Sequence, residues 1–316
     1  MARLISVPGL TSLLLVSSAR EIDDLIAHPG LERRFVGEGR LVNRVLVAGL
    51  DRQMRHEGQV LTAFRPRDDA DRVAAQHQLF THLDRFADAG AWPPAPVTEM
   101  ARYIVKGRHR RDAEAALAFA VAWPFLAQGP AAPQDDAYKP QGRHLWQLHR
   151  RTARARRPVS VSGLAYRLAG VDRRARSSIL DLVGGNAYGL HAVEITLANA
   201  QVILENLRRI FAERRPHEPM SPRDLAWAAI RTAPEVVVRQ TGASATTLPH
   251  VGERVPPHTI VLMRMRQSLA QASDRASGYE FASGHWSACP ARRYVVGLFS
   301  AVAASAIDLG SGEGRA

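Results

Sequence analysis

One stretch near the end of the chain, residues 281–293, constrains the fold more than any other part of the sequence. It contains the only cysteine, Cys289, and a Phe and a Gly stand a few residues before that cysteine. Apolar residues then recur at helical spacing from Val295 to Ile307, which predicts a tight loop that presents one sulfur at the start of a helix. The dipole and the unpaired N–H groups of a helix N-terminus stabilise a thiolate. A lone cysteine is more often a small buried hydrophobic residue, so the stretch by itself leaves both interpretations open.

Length and composition exclude several classes of protein. With 316 residues, of which 46% are hydrophobic, the chain can bury a large core as one domain or as two smaller ones. A single cysteine excludes an internal disulfide framework and a cysteine-rich zinc site. No segment reaches the roughly 18 uninterrupted apolar residues of a membrane span, and residues 1–16 lack a clear cleavage site. We therefore expect a cytoplasmic protein without membrane contact, whose first apolar stretch is a strand.

The chain is strongly basic, with a formal net charge of +12 and far more Arg than Lys. One interpretation is a phosphate-binding surface for nucleic acid. The other is a set of solvated helix faces that would suit an acidic partner. Aromatic residues are not interleaved with the Arg-rich runs and no nucleic-acid-binding signature is present, so we expect no nucleic-acid partner. The runs occupy residues 108–111, 150–157, 173–176 and 214–215.

Hydrophobic periodicity predicts a mostly helical chain with a small β component at both ends. The longest predicted helix, over residues 175–210, is interrupted by two glycines at 184–185, which cost about 1 kcal/mol each inside a helix. Ser221 and Pro222 begin a later helix as its N-cap and first residue. Short strands are predicted at residues 10–16, 236–239 and 260–263.

A further predicted helix carries basic residues on one face. It runs from Gly49 past Arg55 and His56, and Pro66 ends it. Between it and the strand at residues 10–16, the sequence predicts a short helix over residues 19–27.

The order of the last elements resembles the C-terminal third of a cytochrome P450. In that family a helix with an E-x-x-R motif precedes prolines, an extended segment with an Arg, a strand of the form V/I-P-x-x-T-x-V, and the haem loop F-x-x-G-x-H/R-x-C-x-G. Order and spacing together are more specific than the cysteine loop alone. The matching elements here are Arg231-Thr-Ala-Pro234, Val238-Arg239, Val255-Pro-Pro-His-Thr259-Ile-Val, and Phe281, Gly284 and Cys289.

Earlier segments resemble the same family more weakly. Residues 16–29 resemble its B-helix region, residues 49–66 resemble its C helix, and Gly184-Gly185 falls where its central helix bends over the haem. The resemblance implies a cytochrome P450-like fold, truncated at the N-terminus, as a single domain over residues 1–316. Its parts would be a strand and B/C-helix-like region at 1–66, a helical region at 67–215, and a K-helix-like segment, haem-binding loop and closing helix at 216–310.

The resemblance also implies a haem b cofactor whose iron is bound by the thiolate of Cys289, the residue that carries catalysis. Arg239 would pair with a haem propionate, as would Arg55 or His56, because a guanidinium matches a carboxylate in a fork-shaped pair. The other loop residues implied to surround the cofactor are Phe281, Gly284 and His285.

The implied activity is a monooxygenase that oxidises a small organic substrate, with an acidic ferredoxin-type protein as its electron donor. Departures from the family's motifs leave alternatives open. Ala228 replaces the glutamate of E-x-x-R, and the acid–alcohol pair of the central helix falls on Ala187 and Tyr188, where alanine cannot relay a proton. The alternatives are a haem-thiolate peroxygenase, a non-oxidative isomerase or dehydratase, and a degenerate scaffold without catalysis. A further alternative is a metal site formed by His285 and Cys289.

Candidates for the lining of a substrate pocket lie in the middle of the chain. Aromatic residues on helices are more often plain core than ligand contacts, so these positions carry both interpretations. They are Phe119, Trp123, Phe125 and Tyr188.

Overall fold

A computed structural model of the chain describes residues 2–26, 28–32, 35–66, 68–126, 137–155, 169–183, 187–213, 220–231, 237–264 and 289–313. Contacts along the backbone divide the chain into two compact units. The sheet unit comprises Met1–Ala75 and Pro234–Cys289, and the helical unit comprises Gln76–Ala233 and Pro290–Ala316. The single domain that the sequence predicts over residues 1–316 stays a prediction.

The sheet unit contains the described strands and two helices. The strands are β1 (Arg3–Val7), β2 (Thr11–Val16), β3 (Leu31–Glu32), β4 (Arg55–His56), β5 (Gln59–Val60), β6 (Val237–Thr241) and β7 (Ile260–Met263). The helices are α1 (Ala19–Ile26) and α2 (Leu41–Met54), and a 3-10 turn follows at Thr62–Phe64. A third helix, α3 (Ala70–Asp88), begins in this unit and continues into the next along the chain.

Strands from the two ends of the chain pair within one sheet. Its order over the described residues is β1-β2-β7-β6-β3, and the β2–β7 pair is parallel, with Leu13 opposite Ile260. The other neighbours are antiparallel, and Arg239 on β6 is opposite Val261 on β7. Apolar side chains of β2, β7 and α1 form the core of this unit, which confirms the strands predicted at residues 10–16 and 260–263. The fully buried members are Leu14, Val16, Ile22, Leu25, Val261 and Met263.

The predicted basic helix over residues 49–65 is wrong in its bounds. Helix α2 begins at Leu41 and ends at Met54, so Arg55 lies on β4, which forms a hairpin with β5. The turn of this hairpin has left-handed backbone at Glu57 (φ 50°) and Gly58 (φ 82°), a conformation that glycine adopts without strain. The apolar residues that follow Arg40 therefore form the start of helix α2. The turn at Glu57 and Gly58 reverses the chain, so Arg55 and His56 lie on a strand of the hairpin and not on a helix.

The helical unit contains the remaining described helices. Helices α5 (Arg110–Leu126) and α6 (Tyr138–Ala155) pack closely, and a Cβ at Gly142 would overlap the carbonyl oxygen of Ala115. Helix α5 is almost completely buried from Ala113 to Pro124, as its Ala-rich sequence predicts. The helices are α4 (Pro94–Lys106), α5 (Arg110–Leu126), α6 (Tyr138–Ala155), α7 (Val171–Leu182), α8 (Ala187–Glu213), α9 (Pro222–Arg231) and α10 (Arg292–Glu313).

Two of the helices predicted from the sequence have counterparts among the described helices. The helix predicted from residue 222 to 231 is confirmed as α9, and the side chain of Ser221 caps it by accepting a hydrogen bond from the backbone N–H of Asp224 at 3.1 Å. The long helix predicted over residues 175–210 is divided into α7 and α8. The two glycines at 184–185 lie between them, outside the described residues.

Helix α10 combines great length with an apolar composition. Over Arg292–Ser311 it meets the length and hydropathy criteria of a membrane-spanning helix, and it meets them alone among the described residues. Within the helical unit it packs against α4 and α9, and Leu298, Phe299 and Val302 are fully buried there. A core helix of a folded unit meets the same criteria.

Candidate functional site

The only cysteine stands directly before the last helix. Cys289 is half-buried, Pro290 and Ala291 are buried, and α10 begins at Arg292. The backbone N–H of Val295 donates to the carbonyl of Ala291 at 2.8 Å, so Ala291 contributes the first acceptor of this helix. The helix predicted after the cysteine is therefore confirmed, with Pro290 and Ala291 between Cys289 and its first residue. Phe281, Gly284 and His285 lie outside the described residues.

The start of α10 is held by side chains of its first turn. The hydroxyl of Tyr294 donates to the carbonyl oxygen of Ala120 on α5 at 2.7 Å, and its ring is tilted against Trp92 with the ring centroids 5.1 Å apart. Arg293 pairs with Asp88 and, at 3.4 Å, with Asp84 on α3. These contacts fix where the helix that follows Cys289 begins. Sequence reasoning missed Tyr294, because a tyrosine in an apolar helix gives no signal of its hydrogen-bond partner.

Arg239 is a nearly buried cation on β6. Its residue is 8% exposed, and one guanidinium nitrogen donates to the carbonyl of Val238 at 2.9 Å. A guanidinium in this environment is stabilised only when carbonyls or anions surround it. The role of Arg239 as a partner of a haem propionate stays a prediction.

A cleft of about 560 Å³ opens in the sheet unit beside α2. Arg55, a predicted cofactor residue, lines it, and one of its guanidinium nitrogens donates to the carbonyl of Gly58 at 3.1 Å. His56 is half-buried on the same strand and is not part of the lining. The other basic lining residue is Arg44, and the remaining walls are apolar or glycine. They are Phe35, Val36, Gly37, Leu41, Val45, Val47 and Ala48.

The wall of this cleft is fastened to the sheet. The side chain of Gln240, 1% exposed, accepts a hydrogen bond from the backbone N–H of Val36 at 2.7 Å and donates to the carbonyl of Val36 at 3.2 Å. Val238, which precedes Arg239, packs in the same apolar cluster as the lining residues Phe35 and Val47. Strand β6 thus carries the buried guanidinium of Arg239 and two residues, Val238 and Gln240, that contact lining residues of the cleft.

A buried asparagine ties α2 to the sheet behind the cleft. Asn43 is 1% exposed; its amide oxygen accepts from the N–H of Ser12 at 2.9 Å and from the hydroxyl of Thr11 at 3.1 Å. Its amide nitrogen donates to the carbonyls of Ser12 and His258 at 2.7 and 3.0 Å. Sequence reasoning missed this residue, although an Asn within the apolar stretch at 41–47 was the available signal.

The central helix α8 presents a carboxylate that is already engaged. Glu194 is 2% exposed and accepts a hydrogen bond from Arg176 of α7 at 3.1 Å. Ala187 and Tyr188, the positions of the family's acid–alcohol pair, fall in the first turn of this helix. Glu194 is therefore held in a buried ion pair that joins α8 to α7.

The predicted pocket aromatics are core residues where the structure describes their side chains. Phe119 and Trp123 are buried and stacked, with ring centroids 5.7 Å apart, and Phe119 also contacts Tyr138 at 5.5 Å. Phe125 is half-buried against His82 at 5.9 Å. Within the described part of the chain, no three His, Cys, Asp or Glu side chains come together as a metal-ion site.

The overall arrangement matches solved structures of one family. A complex of cytochrome P450SP alpha with (R)-ibuprophen matches over 96% of this chain and 84% of its own, with a TM-score of 0.57 and 14% identity. A mutant of P450 EryK in complex with erythromycin B matches over 96% and 84%, with a TM-score of 0.59 and 12% identity. A six-coordinated cytochrome P450 from Thermus thermophilus matches over 96% and 85%, with a TM-score of 0.59 and 12% identity.

This chain has the cytochrome P450 fold. The predicted fold class, mostly helical with a small β component, is confirmed. No protein-family model and no curated protein matches the sequence. The P450 fold is therefore supported by the three-dimensional arrangement together with the order of the motifs from Arg231 to Cys289.

The side chains that the resemblance implies as cofactor contacts have a chemistry that would suit a haem. Haem combines an apolar ring, two propionates and an iron that accepts sulfur ligands. Cys289 supplies a single soft sulfur donor at a helix start, and Arg239 supplies a buried cation. Arg55 supplies a second cation beside apolar walls. All three residues belong to the sheet unit.

Proposed function

We propose that this chain is a haem-thiolate protein in which Cys289 binds the iron of haem b, and that it acts as a monooxygenase on a small organic substrate. The observation that carries the proposal is the position of the only cysteine, three residues before the last helix of a P450 fold. The thiolate at that position gains from the unpaired N–H groups and the positive end of the helix. The helix start supports the ligand role of Cys289 more directly than it supports any particular reaction.

The cofactor would supply the redox chemistry, since a cysteine thiolate pushes electron density to iron and favours cleavage of an O–O bond. The protein's own residues bind and orient it. Arg239 and Arg55 would neutralise propionates, with His56 and His285 as further partners. Phe281 and Gly284 would form the loop around the sulfur.

The proposed substrate is a small organic molecule. The cofactor, whose propionate Arg55 would neutralise, suits the cleft beside α2. Its walls are apolar apart from Arg44 and Arg55, and no carboxylate lines it among the described residues. The matched structures hold (R)-ibuprophen, erythromycin B and, in cytochrome P450EX alpha at a TM-score of 0.58 and 11% identity over 96% of this chain, myristic acid. Those ligands belong to the other proteins; they support the general class of substrate here and no specific compound.

An acidic ferredoxin-type electron donor, which the basic surface supports, and a cytoplasmic location are parts of the same proposal. Every exposed charged residue of α6 is basic, since the helix contains no Asp or Glu. Its exposed arginines include Arg143, Arg150, Arg151 and Arg154. A surface of one sign steers an oppositely charged partner and loses that effect as salt is added.

A haem-thiolate peroxygenase is the second candidate, favoured by the central helix. Glu194 is committed to Arg176, and the sequence offers Ala187 where a proton-relaying acid would stand. Turnover of a substrate panel with hydrogen peroxide, compared with a ferredoxin and its reductase, separates the two candidates. Activity only with the ferredoxin system supports the monooxygenase, and activity only with peroxide supports the peroxygenase. Inactivity in both supports an isomerase, a dehydratase or a scaffold.

Haem binding itself is tested by titrating the purified protein with haem and following the Soret absorbance. The proposal predicts saturation at one haem per chain, and a changed spectrum for Cys289→Ala. If the wild-type protein does not bind haem, the degenerate scaffold explains the fold instead, and Ala228 becomes the sign of that loss.

A further inference from the structure

The first turn of the last helix is anchored by a tyrosine that sequence motifs do not mark. Tyr294 is 2% exposed, and its hydroxyl donates to the carbonyl of Ala120 at 2.7 Å. Burial raises the pKa of this phenol well above its ordinary value, so it remains a hydrogen-bond donor throughout the neutral range. Ala120 lies on α5, the helix with the most completely buried run of described residues.

Neighbouring contacts also fix the position of the first turns of α10. The indole of Trp92 packs on the Tyr294 ring, and a Cβ at Gly297 would overlap that indole, so α10 approaches Trp92 more closely than a larger residue allows. Arg293 adds ion pairs to Asp84 and Asp88 of α3 at the protein surface. We call Arg293, Tyr294 and these partners the helix anchor.

The helix anchor limits where Cys289 can be. Only four residues separate Cys289 from Tyr294, and two of them, Pro290 and Ala291, are buried. The first N–H groups of a helix have no partners within it, so helix starts fray unless tertiary contacts hold them. Without the hydrogen bond from Tyr294 to Ala120, the first turn of α10 would open more often. In the open state the thiol of Cys289 would no longer be held in place.

We propose that Tyr294 is a positioning residue for the thiol of Cys289, acting through the start of α10. That this thiol is an iron ligand rests on the proposed function. The positional claim itself does not require the haem, because a single cysteine reports its own exposure whether or not a cofactor is bound.

The test measures alkylation of Cys289 by iodoacetamide in the full-length chain under native conditions at one pH. Tyr294→Phe removes the hydroxyl and keeps the ring; we expect alkylation to become about threefold to tenfold faster, the factor by which losing one buried hydrogen bond raises the open population. The matched control is Tyr103→Phe. Tyr103 is 4% exposed in the same unit and donates to the partly exposed carboxylate of Glu205 at 2.8 Å, so its variant loses a tyrosine hydrogen bond of similar length elsewhere. Its alkylation rate should equal that of the wild type.

An unchanged rate for Tyr294→Phe overturns the proposal, as does an equal rise in both variants, which would mean general loosening of the helical unit. If Tyr294→Phe does not fold, Arg293→Gln supplies the second measurement, since it removes exposed ion pairs of the same anchor. It should raise the rate by a smaller factor, and no rise overturns the proposal.

A spectroscopic readout addresses the iron-bound form. With haem, dithionite and CO, Tyr294→Phe should convert from the red-shifted thiolate band to the unshifted band several times faster than wild type or Tyr103→Phe. Equal conversion rates in all three proteins contradict the positioning role. The two proposals fail separately: a wild-type protein that never shows the thiolate band defeats the haem-thiolate function, while the alkylation rates still decide the role of Tyr294.

Discussion

The guanidinium of Arg176 lies 3.1 Å from the carboxylate of Glu194, joining α7 to the central helix α8 within the helical unit. The two side chains are only 6% and 1% exposed. An ion pair in this environment is stable only as a pair, because either charge left alone would be buried without compensation. Glu194 therefore serves to hold α7 against α8.

Breaking this pair on one side should be severely destabilising. Glu194→Gln or Arg176→Met should each lower the free energy of unfolding by about 3–5 kcal/mol, since each leaves a buried polar or charged group without its partner. The double variant Arg176→Met with Glu194→Leu should be closer to wild type than either single change. Urea denaturation followed by circular dichroism measures all three.

The matched control for this prediction is an exposed pair in the same unit. Arg110 and Glu114 are 3.0 Å apart with the arginine side chain 57% exposed, so Glu114→Gln should cost no more than about 1 kcal/mol. Equal losses of unfolding free energy for Glu194→Gln and Glu114→Gln would show that the buried pair contributes no more to stability than the exposed pair.

The contact between α5 and α6 predicts a glycine requirement at residue 142. A Cβ there would overlap the backbone carbonyl of Ala115, which cannot rotate away as a side chain could. Gly142→Ala should therefore lower stability by about 1–3 kcal/mol through separation of the two helices. Gly242→Ala is the control, because no atom of the described residues lies within 4 Å of the position that its added methyl group would take, and its backbone is not left-handed. Thermal unfolding of both variants compares them, and equal midpoints would contradict the packing described.

Asn43 should be the most sensitive polar residue of the sheet unit. Asn43→Ala leaves the N–H and the carbonyl of Ser12 without their side-chain partner, and each buried group so exposed costs about 1–3 kcal/mol. We expect a loss of about 3 kcal/mol in urea denaturation. Thr247→Ala, at an exposed position of the same unit, should change stability by less than about 0.5 kcal/mol. If Asn43→Ala leaves the free energy of unfolding unchanged, then α2 is not tied to the sheet by this side chain.

The contribution of Tyr294 to stability should depend on alkaline pH. Burial raises its pKa from the ordinary 10.0, so the folded protein retains a proton that the unfolded chain releases above pH 10. The stabilisation is present in full below the unfolded pKa and is lost as pH rises beyond it, by up to about 1.4 kcal/mol per pH unit. The difference in unfolding free energy between wild type and Tyr294→Phe should be constant from about pH 7 to 9 and shrink by about pH 11. A difference that stays constant over this whole range would show that this phenol titrates normally.

Local signals in the sequence are sufficient for several elements of this fold. The Ser-Pro start of α9 and the apolar β-branched run of β7 give both the type and the place of the element, because capping and strand propensity act within a few residues. The helix after Cys289 is predictable for the same reason, from its apolar spacing.

Relations between distant residues cannot be predicted in this way. The parallel pairing of Leu13 with Ile260 depends on which apolar strands meet, and many strands share such a composition. The partners of Arg176 and Tyr294 lie on other helices, so their hydrogen bonds follow from packing rather than from local pattern. The hairpin at residues 55–60 resembles the continuation of a helix in sequence because Arg55 and His56 follow Arg52 at spacings of three and four residues. The Glu57-Gly58 turn instead decides the structure.

The CO-difference spectrum of the dithionite-reduced, haem-supplied protein tests the assignment of Cys289 most directly. With wild type, we expect the red-shifted band that reports a cysteine thiolate on iron. Cys289→Ala should lose that band, while Tyr103→Phe, a change elsewhere in the fold, should retain it. A wild-type spectrum without the red-shifted band, or a Cys289→Ala spectrum that keeps it, would contradict the role of Cys289 as the iron ligand.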